Sequence, residues 1–323
     1  MHNSNILKSL GKLIGFSILP FAVIVYSVYL LKKNNNDYYE RFSSPQQTAF
    51  ILGSSRAGSV DPQVLDSILT PSYPNLKMYN YAFTWAHSPY GPVYLNSIKK
   101  KLDPKTKNSL FILTVEPTAV MVDGNSPDAI ENYIENDKFI ATLNDVNVNP
   151  NVEYLVESYD KSITNELNMI VLPPKNVMAI TKVLDNGKWD TKIIKDFNPK
   201  TKAELNATKM REFDVRMAGL KKSENRLSYL TKTISFLQEH GQVVLVRMPI
   251  SKTAYTIENK HYADFDGRIN SIAKSKNIDY INYNDINHDF YWTDEVHLTN
   301  SSMNDFSKML GDTISSLNGK EAK

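Results

Sequence analysis

Two short blocks near opposite ends of the chain hold the hydroxyl, imidazole and carboxylate groups that acyl transfer needs. The first is Gly53-Ser54-Ser55-Arg56-Ala57-Gly58, which directly follows the apolar run Ala49-Phe50-Ile51-Leu52. A serine on a strand-to-helix turn can raise its hydroxyl above a sheet while its own N–H faces the place where an oxyanion would develop. Gly-Ser-Ser is also common in ordinary turns, so a base must be found before the block means anything. The chain has 6 histidines. His2 precedes a long apolar segment, His240 sits at a predicted helix end, and His87 and His261 lack a patterned acidic partner, although His261 precedes Asp264 and Asp266. His288 and His297 fall in Asn287-His288-Asp289-Phe290-Tyr291-Trp292-Thr293-Asp294-Glu295-Val296-His297-Leu298-Thr299. Asp294 and His297 are three apart, a spacing that on a turn brings a carboxylate to Nδ1 and leaves Nε2 for an incoming hydroxyl.

Other chemistry-bearing residues have two readings each. Arg56 follows the candidate nucleophile and Arg247 follows the run Val243 to Val246, so both could fork onto a uronate or phosphate at a sheet edge. Equally, they could form structural ion pairs with Glu116 or Asp294. Trp292 is a candidate pocket wall, whereas Tyr79, Tyr81, Phe83 and Trp85 alternate at strand spacing and are expected to pack. His288, Asp289, Asp294 and His297 lack the spacing of known metal-ligand motifs, so neither metal nor cofactor is expected. With no cysteine in the chain, zinc ribbons and iron–sulfur sites are excluded, and any acyl intermediate must rest on a hydroxyl.

Positioning these groups requires alternating strands and helices. Ala49–Leu52, Leu110–Val115 and Val243–Val246 are short apolar runs ended by Gly53, Pro117 and Pro249, as buried parallel strands are. Met78–Tyr81 and Ile278–Tyr283 are weaker strand candidates. Ser223–His240 has Leu227, Leu230, Ile234 and Leu237 on one helical face with Gly241 as a stop, and Ile269–Lys276 and Asn300–Leu317 also show helical spacing. The alternation predicts an α/β domain whose site lies beyond the carboxyl ends of its strands. The Asn- and Lys-rich stretch 123–222 interrupts it and reads as an insertion, a lid or a substrate platform, with a second domain as the alternative. Asp185-Asn186-Gly187 inside it predicts a tight turn between short strands.

The formal charge of +2 is an average over unlike parts. Leu13 to Leu31 lacks any charged side chain, and at about 1.5 Å per residue it nearly matches a hydrocarbon core of roughly 30 Å. Lys8, Lys12, Lys32 and Lys33 flank it and no acid precedes Asp37; of 37 basic residues, removing these four leaves 33 against 35 acidic, a net of −2. A weakly acidic body is a poor nucleic-acid binder. The apolar run continues through Tyr29-Leu30-Leu31 into Lys-Lys-Asn-Asn-Asn without small residues at a cut, which favours an uncleaved anchor over a signal peptide. Basic residues on both sides leave orientation undecided by charge. An N-terminal anchor before one hydrophilic body is usually an export device, so residues 1–33 are expected to be a cytoplasmic tail and single-pass transmembrane anchor, 34–47 a stalk, and 48–320 an extracytoplasmic domain.

Taken together, the N-terminal Gly-x-Ser and the C-terminal Asp-x-x-His resemble the SGNH (GDSL-like) hydrolase superfamily. Phe50-Ile51-Leu52-Gly53-Ser54-Ser55-Arg56 and Asp294-Glu295-Val296-His297-Leu298 are similar to its membrane-anchored branch, which includes alginate O-acetylation and teichoic-acid D-alanylation proteins and replaces Gly-Asp-Ser by Gly-Ser-Ser. The resemblance runs by blocks from about Ala49 to Ser316 and leaves the middle unmatched. It implies Ser55 as nucleophile, His297 as base and Asp294 as its orienting partner. The family's second-block glycine, an oxyanion donor, is absent, so Ala82 or a neighbour is expected to stand in for it. The third-block Asn is also absent, since the third strand ends Thr114-Val115-Glu116-Pro117-Thr118, and the hole is one donor short unless Thr84, Thr118 or an insertion residue supplies it. A missing donor costs about 2.7–4 kcal/mol of transition-state stabilisation.

The expected fold is therefore a flavodoxin-like three-layer sandwich around a central parallel sheet, with an insertion subdomain and an N-terminal transmembrane helix. The expected function is an acyl esterase or O-acyltransferase acting on a cell-envelope or exported polysaccharide, with a multi-pass membrane O-acyltransferase as the partner the resemblance implies. A catalytically weak assembly protein that binds a glycan or such a partner is the alternative. A lipase-like esterase would need an apolar lid, which 123–222 is too polar to supply.

Overall fold

The computed structural model describes residues 2–33, 37–83, 88–158, 179–193 and 198–321. The chain opens with helix α1 (His2–Lys33), whose apolar stretch Ile6–Ser27 lies exposed and is long enough to cross a membrane. Helix α2 (Asp37–Ser43) follows within a few residues and belongs to the body. Tyr39, Arg41 and Phe42 are buried, so within the 34–47 expected as a stalk these residues of α2 pack on the body.

The alternation that follows is β1 (Ala49–Leu52), α3 (Pro62–Leu69), β2 (Met78–Asn80), α4 (Pro92–Lys101) and β3 (Ser109–Thr114). After a short β4 (Met121–Asp123) come α5 (Val152–Glu157), a hairpin of β5 (Ala179–Val183) and β6 (Trp189–Ile193), α6 (Pro199–Ala218) and β7 (Leu220–Lys222). The regular pattern then resumes with α7 (Glu224–Gln238), β8 (Gly241–Arg247), α8 (Lys252–His261), α9 (Phe265–Lys276), β9 (Asp279–Asn282) and α10 (Asn300–Glu321). Five strands form one parallel sheet in the order β2-β1-β3-β8-β9. Each of the five falls on a predicted run; the inner strands β1, β3 and β8 are largely apolar because both their faces are covered, whereas the edge strands β2 and β9 carry polar residues. Strands β4 and β7 pair antiparallel at the two ends of the 123–222 stretch.

Alternate residues feed two cores. Phe50, Leu52, Phe111, Leu113, Val243 and Leu245 face α4, α7 and α9, where Leu230, Ile234 and Ile269 are buried. Ala49, Ile51, Leu110, Ile112, Val244 and Val246 face α3 and α10, meeting Leu65, Leu69, Phe306 and Leu310. Local chemistry sets the helix starts: Asp61, Asn198, Ser223 and Ser251 each accept a backbone N–H from the first turn, and Pro62 and Pro199 occupy the position where a missing N–H is harmless.

The β5–β6 hairpin turns at Asp185-Asn186-Gly187 as predicted, with Gly187 at φ 78. It docks on the body by backbone contacts. Asn80 N–H, pointing outward from β2, donates to Asn186 O at 2.8 Å, and Trp189 N–H donates to Gly58 O at 2.7 Å. A Cβ on Gly187 would lie 2.1 Å from Asn80 O, so only glycine permits this approach. The other outward donor of β2, Met78 N–H, reaches Asp66 Oδ1 at 2.9 Å. Met169–Leu172 and Val177 lie outside the described residues.

Candidate active site

Ser55 begins a 3-10 turn immediately beyond β1, at the carboxyl edge where strand order reverses and sites in such sheets form. Gly53 makes the exit possible. Its φ is +145, and a Cβ there would lie 1.8 Å from Thr114 Oγ1 on the neighbouring strand. As the first residue of the turn, Ser55 has an N–H without a partner inside it, which leaves that group free to face an oxyanion.

The C-terminal block is a loop pinched by a bridge between Trp292 and Leu298. Thr293 N–H donates to His297 O at 2.8 Å, and Asp294 Oδ1 accepts His297 N–H at 3.0 Å, so the loop tip is braced from within. His297 Nε2 lies 2.9 Å from Ser55 Oγ, and Nδ1 is 3.0 Å from both Asp294 oxygens. With Nδ1–H donating to Asp294, Nε2 is left as the acceptor for the Ser55 hydroxyl proton. Burial alone would raise the Asp294 carboxyl, but the His297 ring and N–H, helped by Lys209, outweigh it and hold its pKa at about 2. Residues 242 positions apart thus meet at hydrogen-bonding distance in one chain of contacts.

Glu295, between them, adopts φ 74, a left-handed conformation costly for a residue with a Cβ. Two bonds hold it there: its carbonyl accepts Ser251 N–H at 2.9 Å, and its Oε1 accepts Asn206 Nδ2–H at 2.9 Å from α6.

Beneath Ser55 lies a buried charge network. Glu116 accepts from Ser54 Oγ at 2.8 Å and Thr118 Oγ1 at 3.1 Å, and its carboxylate is 3.4 Å from Arg56 Nε. Arg56 also donates to Glu258 at 2.6 Å, Glu258 pairs with Arg247 at 2.8 Å, and Arg247 pairs with Asp266. Burial would lower the Arg56 pKa, yet the adjoining Glu116 and Glu258 carboxylates raise it. Arg247 is wholly buried and committed to these acids, so the ion-pair reading, not substrate binding, is the one its geometry realises. Arg56 borders the cavity but spends its donors on Glu116 and Glu258. Glu116 was legible as the residue just past β3; Glu258, inside α8, carries no signal of its own.

Ala82 N–H points to Asn80 Oδ1 at 3.2 Å and Ala82 does not border the triad cavity, so the geometry does not assign it the expected oxyanion role. Thr84 lies outside the described residues, as do Trp85 and His87. The triad cavity measures about 290 Å³ and is walled on one side by Lys209, Met210, Phe213 and Arg216 of α6. These residues are spaced at helical intervals within a stretch that looked irregular, and the covering role expected of 123–222 falls to this helix. Met210 also borders a larger groove of about 940 Å³ beside the triad, floored by Phe290, Tyr291 and Trp292. Trp292 therefore lines the groove and not the triad cavity, its Nε1–H held by Pro249 O at 3.2 Å. The larger of these two cavities is thus not the one that Ser55, His297 and Asp294 line.

Elsewhere His261 meets Asp214 at 2.6 Å and His240 Nδ1 lies 3.1 Å from Thr106 O, both away from Ser55. Among the described residues no group of three or more His, Asp or Glu side chains is placed to hold a metal. No protein family matches the chain, and no curated protein matches it.

Proposed function

We propose that this protein is a membrane-anchored, extracytoplasmic acyl esterase or O-acyltransferase of the SGNH type, acting through Ser55, His297 and Asp294. The observation that carries the reading is the 2.9 Å approach of Ser55 Oγ to His297 Nε2 with Asp294 bonded to the opposite ring nitrogen. The strand order, which is second-first-third-fourth-fifth for the sheet, supports a flavodoxin-like sandwich with its site at the switch point.

In this mechanism His297 Nε2 takes the Ser55 hydroxyl proton as Oγ attacks the ester carbonyl carbon. The Asp294 carboxylate stabilises the resulting imidazolium, and Ser55 N–H faces the oxyanion. Collapse breaks the ester bond, and His297 returns the proton to the departing alkoxide. Water or a sugar hydroxyl then attacks the Ser55 ester by the reverse path, which makes the protein an esterase or a transferase. A polysaccharide of the cell envelope or an exported one is the proposed substrate, and the adjoining groove offers room for the remainder of a large chain. A multi-pass membrane O-acyltransferase is the proposed donor partner.

A fluorophosphonate probe tests the reading. Labelling should occur on the full chain and vanish in Ser55→Ala and His297→Ala; labelling that survives Ser55→Ala would sink it. Turnover of a short acetyl ester with and without a glycan acceptor separates transfer from hydrolysis. Protease added to intact cells should shave off the body.

One observation favours the alternative of a catalytically weak assembly protein: Ala82 N–H is spent on Asn80 and an acid, Glu116, stands beyond β3 where a second oxyanion donor would be useful. Absence of labelling together with retained glycan or partner binding would select it.

A further inference from the structure

Helix α2 begins four residues after α1 ends, so at most about 14 Å of chain separates the apolar helix from the body. What α2 packs against must therefore lie close to the end of α1. It packs against α5. Tyr39 and Phe42 approach the Tyr154 ring with centroids at 5.5 and 5.9 Å, and Asn151 Nδ2–H donates to Phe42 O at 3.0 Å. Helix α5 also contacts α1 directly.

A helix turns about 100° per residue, so the residues two before and two after Tyr154 fall on its far side. They are Val152 and Val156, one turn apart, and they are 61% and 65% exposed. Val148, just before the helix, is exposed as well. Glu153 of the same helix is turned away onto the backbone N–H groups of Asn144 and Asp145 at 2.7–2.9 Å, and Glu157 is the other acid of α5. Among the described residues none covers the valines, and the nearest apolar medium is the one α1 is long and apolar enough to enter.

We infer that the Val152 and Val156 face of α5 rests on the lipid headgroup layer, so that the body is seated on the bilayer with this side down. The inference depends on α1 spanning a membrane and is independent of the triad chemistry.

The absence of cysteine allows a direct test. Single cysteines replace Val152, Val156, Val215 or Phe16 in the full chain, each is labelled with nitrobenzoxadiazole, and the proteins are reconstituted into phosphatidylcholine vesicles. Val215 on α6 is 74% exposed and serves as the exposed apolar reference, while Phe16 at 82% exposed reports on α1. Headgroup nitroxide lipids should quench the probes at 152 and 156 by at least about twofold more than the probe at 215, with blue-shifted emission, as for groups in the interfacial layer. Acyl-chain nitroxides should quench the probe at 16. Quenching at 16 without quenching at 152 and 156 overturns the seating and leaves the anchor. Equal quenching at 215 overturns a preferred face. No quenching at 16 removes both the anchor and the seating, while fluorophosphonate labelling would be untouched.

Discussion

Ser54 donates its hydroxyl proton to the buried carboxylate of Glu116 at 2.8 Å. The same carboxylate faces Arg56, so one acid grips both neighbours of Ser55 and fixes the turn that carries it. Glu116→Ala leaves the buried Arg56 with Glu258 alone and orphans the Ser54 hydroxyl. Breaking a buried pair in this way costs about 3–5 kcal/mol. Urea denaturation should show a loss of that size, and Glu116→Gln, which keeps an acceptor for Ser54, should lose less.

Replacing Asp294 by Asn leaves the Ser55–His297 contact but removes the acceptor that selects the ring tautomer. The rate of acetyl ester turnover should fall by about 10⁴-fold, as in serine proteases carrying the equivalent change. The same carboxyl ties stability to pH. Its folded pKa of about 2 lies below the ordinary 3.8. The stabilisation is therefore fully present above pH 4 and is lost as pH falls toward 2. The gap corresponds to roughly 2 kcal/mol. Wild-type protein should lose stability relative to Asp294→Asn over that interval; parallel curves would contradict the assignment.

Glu295 is the left-handed residue between the base and its partner. A β-branched side chain tolerates φ 74 poorly, so Glu295→Val should destabilise by about 1–2 kcal/mol and displace His297 from Ser55. Glu295→Gly relieves the backbone but releases Asn206, so it should retain fluorophosphonate labelling better than the valine variant. Comparing labelling rates of the two separates the backbone requirement from the tie to α6.

Lys101 is buried beside Tyr81 and donates to the carbonyls of Ser44 and Val146, and among the described residues no acid pairs with it. Burial lowers its pKa from 10.5 to about 7. Between these values the unfolded chain holds a proton that the folded one releases, so this group makes stability rise from pH 7 to pH 10. The difference in unfolding free energy between wild type and Lys101→Met should climb over that range; a flat difference would show that Lys101 stays charged when folded.

The inner strands of the sheet were readable because a parallel strand buried on both faces must be largely apolar, as Ala49–Leu52 and Val243–Val246 are, while the edge strand Asp279–Asn282 is only half-buried and leaves a weaker signal. The pairing of Ser55 with Asp294 and His297 was readable because each block sits beside a strong breaker or helix start. The roles of Arg56 and Arg247 were not, since an arginine at a strand end looks alike whether it faces solvent or a buried acid, and Glu258 arrives from a helix far along the chain. Helix α6 was hidden for a different reason. It buries Met210 and Met217 on a narrow stripe and leaves Leu205 and Val215 exposed among polar residues, so its periodicity drowns among Lys and Asn. Helix α2 is too short to show any period, and its burial depends on Tyr154 more than a hundred residues away.

The hairpin docked on Asn80 has a consequence beyond bracing the loop after β1. Strand β2 ends the sheet, and a terminal strand offers a row of unpaired donors on which a second molecule can build. Here Asp66 takes one outward N–H and Asn186 takes the other, so the template is occupied before a neighbour can reach it. A chain lacking residues 179–193 would keep Ser55, Asp294 and His297 but free the Asn80 N–H on that margin, and such a chain would self-associate edge to edge at concentrations where the intact protein stays apart.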